Sequence, residues 1–313
     1  MGNYLGSCSV SLLIPIYRWL NSYLSNSLDT VQQNPPFYMI NKSLYTPKFS
    51  FGKWCFLFIG GIILFLIAYS FASLPEYYIG NNWFSGSLSL ISGVLLLLMY
   101  RWLVGSYEDR KIEELSMRKC LKHTGIGFLW GVLMMAAIIG IFAISGWYKV
   151  VGCSFNAGTI YRYLMTYFVV AVGEEIVFRG IMFRLLDSQF NVWVALLISA
   201  VVFGIAHIIN PNATAVSTIG ISLASGVLFG LLLKYYRTLW VPIGIHWSWN
   251  FVQGTVTGSP VSGMVPDYSI LNSVTSGPEL LTGGSFGPEA SIILMILGLV
   301  LCIWVGAKLI VRK

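Results

Sequence analysis

The sequence predicts an all-α fold, a polytopic bundle of about eight membrane-spanning helices with both termini cytoplasmic. Three observations predict it. The 313 residues are 56% apolar and only 10% charged, with a mean hydropathy of +0.75, whereas soluble domains carry roughly 25% Asp, Glu, Lys and Arg. So little charge cannot coat a soluble surface, so most of this chain must face lipid. Second, eight stretches meet or approach the ~20 apolar residues that cross about 30 Å of hydrocarbon. Third, the basic residues sort to one face of the alternation that eight spans create.

The expected spans are 54–74, 85–105, 124–146, 158–187, 191–209, 216–236, 239–257 and 288–310. Each must be a helix, because lipid cannot satisfy backbone amides and no alternation of barrel strands is present. Arg18, Lys42, Lys48 and Lys53 precede the first span, and Arg101, Arg110, Lys111, Arg118, Lys119 and Lys122 surround the second connection. Lys234 and Arg237 flank the sixth span, and Lys308, Arg312 and Lys313 end the chain. All of these fall on one side, Lys149 and Arg162 fall on the other, and an odd number of spans would spoil the sorting. The formal charge of +7 therefore reports topology, and a nucleic-acid partner is not expected.

Residues 1–50 read as a polar, aromatic cytoplasmic tail with an interfacial helix around Leu12 to Leu24. Residues 51–150 hold the first three spans, and 151–257 hold the next four. Residues 258–287, rich in Gly, Ser, Pro and Thr, form the longest outer loop, either a lid or an irregular connector. Residues 288–313 supply the last span and a basic tail. Cys8, Cys55, Cys120, Cys153 and Cys302 are scattered without a CxxC pair, which predicts reduced thiols and neither a disulfide nor a thiolate zinc site. No cleaved signal peptide is expected, and the Leu5 to Cys8 and Met1-Gly2 patterns do not meet the requirements of lipidation boxes.

Ionisable groups at bilayer depth cost about 2.5–3.5 kcal/mol on insertion scales, so they face the protein interior and mark function. Here Glu174, Glu175 and Arg179 lie in the fourth stretch, His207 in the fifth, and His246 and Asn250 in the seventh. At about 1.5 Å per residue, Glu174, His207 and Asn250 sit roughly 17–24 Å from the cytoplasmic ends of their spans, and His246 roughly 10 Å. The polar groups can meet. Residues four apart share a helix face, so Glu175 can pair with Arg179 while Glu174 points to a neighbouring face, toward His207 and a water. His246 and Asn250 can address one atom. Trp247, Trp249 and Phe178 read as packing or interface anchors, and His123, in the basic connection, as solvated.

Three boxes carry a family resemblance. Glu174-Glu175-Ile176-Val177-Phe178-Arg179-Gly180 looks like an EExxxR box, Phe203-Gly204-Ile205-Ala206-His207 like an FxxxH box, and His246-Trp247-Ser248-Trp249-Asn250 like an HxxxN box. In that order, each in an apolar span, they resemble the CAAX protease and bacteriocin-processing (CPBP, or Abi) family of intramembrane endopeptidases. The resemblance covers about residues 155–257, and Gly283 to Glu289 is similar to a segment of some bacterial members. It implies hydrolysis of a peptide bond in a membrane-associated or lipid-tethered peptide or protein. It implies that Glu174 and His207 activate water, that His246 and Asn250 stabilise the oxyanion, and that Glu175 and Arg179, with Phe203, support them. No cofactor is the favoured reading; zinc held by Glu174, His207 and His246 is the alternative. A non-proteolytic scaffold or immunity protein and an ion-coupled transporter are the readings from other classes. The expected location is the plasma membrane in a bacterium and the endoplasmic reticulum in a eukaryote.

Overall fold

The computed structural model describes residues 49–108 and 110–311. The tail with its expected interfacial helix, Cys8, Arg312 and Lys313 lie outside the described residues.

Each of the eight apolar stretches holds a helix. α1 spans Phe51–Glu76, α2 Asn82–Tyr107 and α3 Met117–Ile144. α4 begins as Ala157–Glu175 and continues through a π-helical segment, Ile176–Phe183, into Arg184–Gln189. α5 is Val192–Ala206 and α6 is Ala215–Tyr236. α7 is Trp240–Asn250 and continues into a π turn, Phe251–Val256, while α8 is Ile292–Val311. Of these, α1, α2, α3, α6 and α8 are long and apolar enough to cross a membrane. α4, α5 and α7 are shorter or carry the ionisable groups, and those are the helices that hold the three boxes.

The starts of α2, α4, α5 and α6 are written locally. Asn81, Asn156 and Asn191 each accept a backbone N–H two or three residues on, and Thr214 forms a capping box with Ser217. These side chains satisfy amides that the first helical turn leaves without partners.

Two features depart from the sequence expectation. First, the bundle carries a two-stranded antiparallel sheet. β1 (Tyr148–Cys153), between α3 and α4, pairs with β2 (Leu271–Thr275), between α7 and α8. The strand residues are mostly β-branched or small and lie outside the apolar stretches, so no helical period competes with extended backbone. The Gly-rich connection is therefore partly ordered by pairing. Second, the basic connection between α2 and α3 is shorter than expected, because α3 begins at Met117. His123 lies in α3, half-buried, with its ring 5.7 Å from that of Tyr236 in an edge contact.

That connection is also not simply solvated. Arg184 of α4 binds Glu108 through Nη1 and Nη2 at 2.7 and 2.5 Å, and its Nε donates to the Gly180 carbonyl. Arg110 donates to both Glu108 and Glu114, and the Tyr100 hydroxyl donates to Glu114 at 2.7 Å. All five side chains are buried. Lys234 is buried too, 2.9 Å from Asp187. Arg110 and Lys234 thus tie elements of the bundle together.

Small residues let the helices that hold the site approach closely. Gly127 and Gly131 of α3 lie against Val241, Ile245 and Ser248 of α7, and a Cβ at either glycine would collide with an α7 carbonyl. This is the small-xxx-small contact by which helices pack in lipid. It fixes the face that α7 presents toward α4, and with it His246 and Asn250.

Candidate active site

The site is built where α4, α5, α6 and α7 meet. Glu174 and Glu175 close the regular part of α4, and the wider π turn begins at Ile176. Such turns are uncommon and concentrate at functional sites. A second π turn begins directly after Asn250, and a third, Ser222–Val227, contains Ser225.

Glu175 pairs with Arg179 as expected, Oε1 to Nη1 at 2.9 Å, with both side chains fully buried. The same Oε1 lies 3.0 Å from His246 Nδ1, a partner that the spacing within one helix could not reveal. Glu175 therefore joins its own helix to α7. Arg179 is held further by donation from Nη2 to the Ser225 carbonyl at 2.8 Å. Its guanidinium lies 4.3 Å from the Phe203 ring centroid and 5.1 Å from that of Phe229. Stacking against two aromatic faces compensates a desolvated cation that has only one carboxylate directly bonded. This gives Phe203 a physical role: it is the ring on which Arg179 rests, and its edge also meets His207, ring centroids 4.8 Å apart.

His207 stands just beyond the last helical residue of α5, Ala206, rather than inside the helix. The chain tightens there, since His207 N donates to the Gly204 carbonyl and Ile208 N to the Ile205 carbonyl. Asn210-Pro211 then follows, and a residue before proline is driven from helical geometry. Tightening leaves the Phe203 carbonyl without its usual i+4 donor, and His207 Nδ1 takes that place at 2.8 Å. A carbonyl only accepts, so Nδ1 is the donor there and Nε2 is the nitrogen left to face the cavity. The Glu175 carboxylate assigns His246 in the same way: Nδ1 donates and Nε2 points onward.

Both free nitrogens converge on one atom. His207 Nε2 and His246 Nε2 each lie 3.9 Å from Glu174 Oε2. That separation is too long for a direct hydrogen bond and suits a bridge through one water. Glu174 Oε2 is buried and has no protein hydrogen-bond donor. A cavity opens beside these groups, lined by Phe203, His207, His246 and Asn250 together with Ser262 and Glu289. All seven residues singled out in the sequence are therefore gathered in one place.

Phe229, Ser225, Ser262, Gln253 and Glu289 were not singled out. Phe229 and Ser225 are indistinguishable from ordinary apolar or small helix residues by type and spacing. Glu289 lies within the Gly283 to Glu289 stretch already noted, and Gln253 one turn past Asn250, which are the only signals available. The tryptophans behave largely as packing, since Trp247 Nε1 donates to the Leu164 carbonyl and its ring meets those of Phe128 and Phe168. Trp249 also lines the cavity. The four described cysteines are free thiols.

Comparison with known proteins points the same way. Residues 156–252 match the family model described as type II CAAX prenyl endopeptidase Rce1-like. The chain is also 31% identical over 113 residues to a Bacillus subtilis (strain 168) protein named "Putative membrane peptidase YdiL". That match covers 36% of this chain and 41% of the relative, so the chain spans about two fifths of the length of the curated relative it matches. Both findings support the CPBP resemblance carried by the three boxes. With several apolar helices, the chain is an integral, multi-pass membrane protein.

Proposed function

We propose, from the kinship of residues 156–252 with the Rce1-like endopeptidases, that this membrane protein is an intramembrane endopeptidase that uses Glu174 to activate water. The observation that carries the reading is the convergence of two histidine nitrogens on one carboxylate oxygen, each 3.9 Å away, beside a cavity that reaches Asn250.

In this mechanism a water sits between Glu174 Oε2 and His207 Nε2. Glu174 takes one of its protons as the oxygen attacks the scissile carbonyl carbon, a general-base step worth about 10²–10⁴-fold. The carbonyl oxygen becomes an oxyanion, which accepts hydrogen bonds from the Asn250 amide and from His246 Nε2. For His246 to donate there while Nδ1 donates to Glu175, the ring must carry both protons, and the buried Glu175 carboxylate is the counter-charge for that imidazolium. The tetrahedral intermediate collapses, the C–N bond breaks, and the proton held by Glu174 passes to the leaving nitrogen. The products are a carboxylic acid and an amine, and Glu174 returns to its starting form. Arg179 touches no reacting atom in this scheme and holds Glu175.

A resident zinc is supported less well by the same geometry. Bonds of 2.0–2.2 Å in a tetrahedral site place its ligand atoms about 3.3–3.6 Å from one another, shorter than the two 3.9 Å separations. Among the described residues no group of three or more His, Cys, Asp and Glu side chains is arranged to hold a metal ion. The scheme therefore routes no step through a metal.

The substrate proposed is a peptide or protein tethered to the membrane, including prenylated CAAX sequences as the family description suggests. The test is cleavage of a panel of fluorogenic peptides, CAAX types among them, by detergent-purified protein. Glu174→Gln and His207→Ala are expected to abolish turnover while eluting as folded protein; turnover preserved in Glu174→Gln overturns the scheme.

A further inference from the structure

A second buried carboxylate faces the same cavity, and the three boxes do not account for it. Glu289 precedes α8, is buried, and lines the cavity with His207, His246, Asn250 and Ser262. Its Oε2 accepts from Gln253 Nε2 and from the Ser262 backbone N–H, each at 2.8 Å, and its Oε1 accepts from the Ser262 hydroxyl at 3.1 Å. Gln253 lies in the π turn that follows Asn250 on α7, and it also donates to the Pro260 carbonyl at 2.5 Å. On the other side, Asn210 Nδ2 donates to the Ser262 carbonyl at 3.0 Å, and Asn210 N donates to the His207 carbonyl at 3.1 Å. One carboxylate thus connects the outer end of α7, three residues from Asn250, to the turn that carries His207.

The backbone around Glu289 is shaped for this connection. Gly287 has φ +111° and lies against the Pro260 carbonyl, where a Cβ would collide, and the same added atom would sit 3.2 Å from Gln253 Nε2. Gly263, with φ +86°, packs against the Pro211 carbonyl and donates its N–H to the Phe286 carbonyl at 2.7 Å. Only glycine reaches such φ values without strain while letting two chains approach so closely. The outer connection is therefore laid onto the ends of α5 and α7 rather than over open solvent.

We propose that Glu289 is a positioning residue for hydrolysis: with Ser262, Gln253 and Asn210 it clasps the outer connection to the two elements that carry His207 and Asn250, and so fixes their separation across the cavity. This rests on the reading of the cavity as a hydrolytic site. Charge alone does not explain the arrangement, since three donors converge on two oxygens. A glutamine at 289 offers one neutral acceptor oxygen in place of two charged ones, and its N–H₂ is met only if the Ser262 hydroxyl turns from donor to acceptor, so every contact of the clasp is weakened or rearranged. Loosening either side shifts a group that works by geometry, and misplacement by a fraction of an ångström to 1 Å costs up to about 10²-fold in rate.

The test compares wild type, Glu289→Gln and Ser262→Ala. Each is assayed on whichever fluorogenic peptide the wild type cleaves, with amide hydrogen exchange followed in detergent. Glu289→Gln is expected to lower kcat about 10-fold or more with KM within about 3-fold, and to speed exchange in residues 207–212 and 253–262. Ser262→Ala, which keeps the backbone bond and removes the hydroxyl contact alone, is expected to do less. Unchanged exchange in both segments of Glu289→Gln overturns the proposal, as does an unchanged kcat per folded molecule. Glu174→Gln run alongside separates the two ideas, because turnover retained there removes the hydrolytic reading itself, whereas a dead Glu174→Gln with a fully active Glu289→Gln removes only the clasp.

Discussion

Glu175 shows how much one buried carboxylate must do at the scale of single residues. Its Oε1 meets both Arg179 and His246, so its loss leaves both the guanidinium and the imidazolium without their bonded counter-charge. Removing one partner of a buried ion pair costs about 3–5 kcal/mol, because the other charge stays desolvated. Glu175→Gln is therefore expected to lose both stability and turnover, measured as a lower unfolding temperature in detergent together with reduced kcat. Asn250→Ala leaves every ion pair intact and is expected to lower kcat by about 10²–10³-fold, the usual cost of one oxyanion donor, with the unfolding temperature unchanged. A fall in stability without a fall in kcat would place Asn250 in packing instead. The pairing of Glu175 with Arg179 was legible from spacing four apart. Its contact with His246 was not, because it depends on how two helices distant in sequence are rotated, and local spacing is silent on that. The displacement of His207 just past the end of α5 was half-legible: Pro211 announces a stop, but the exchange of Phe203's backbone donor for an imidazole appears only in three dimensions.

At the scale of elements, the network under α4 explains why the connection between α2 and α3 is ordered. Arg184, Glu108, Arg110, Glu114 and Tyr100 tie α2 and its following loop to the far end of the helix that carries Glu174. The loop's basic residues were read from sequence as topology markers alone, since a run of Lys and Arg gives no sign of which will find buried carboxylates. Burial by itself would raise the Glu114 carboxyl, but the hydrogen bonds from Arg110 and the charges of Arg184 and Arg110 outweigh it and hold the carboxyl below its ordinary value of 4.5. The sign follows directly. A carboxyl held lower in the folded state contributes stability above its unfolded value, and loses it as the pH falls through the folded one. Unfolding temperature is thus expected to be flat near neutrality and to fall below about pH 4.5. In Glu114→Gln that acid limb is expected to shrink, and an acid limb identical to wild type would show that other carboxylates set it. Close packing makes a second demand on this scale. Gly131→Leu cannot be accommodated against Ser248 and Ile245, and is expected to separate α3 from α7 and to lower both yield and kcat.

For the whole molecule, the sequence announced its helices well, because a run of apolar residues is the direct signature of a segment in lipid. All eight expected stretches contain helices, and the three boxes came together although they lie on three different helices. What composition hid was the connection between α7 and α8. A Gly, Ser, Pro and Thr-rich stretch carries no period, so neither the pairing of β1 with β2 nor the seat of Glu289 in the cavity could be counted out along the chain. The assembled picture is a bundle whose outer helices, such as α1 and α8, leave most of their surface uncovered. Its interior gathers three glutamates, two histidines, an asparagine and an arginine around one space. The central claim is that this space activates water through Glu174 without a resident metal. The most direct measurement is peptide cleavage by purified wild type and Glu174→Gln, each before and after exhaustive treatment with a strong zinc chelator. Turnover that survives chelation in wild type and is lost in Glu174→Gln is the predicted result. Turnover that disappears on chelation and returns with added zinc would contradict it, and would make His207 and His246 ligands of a metal.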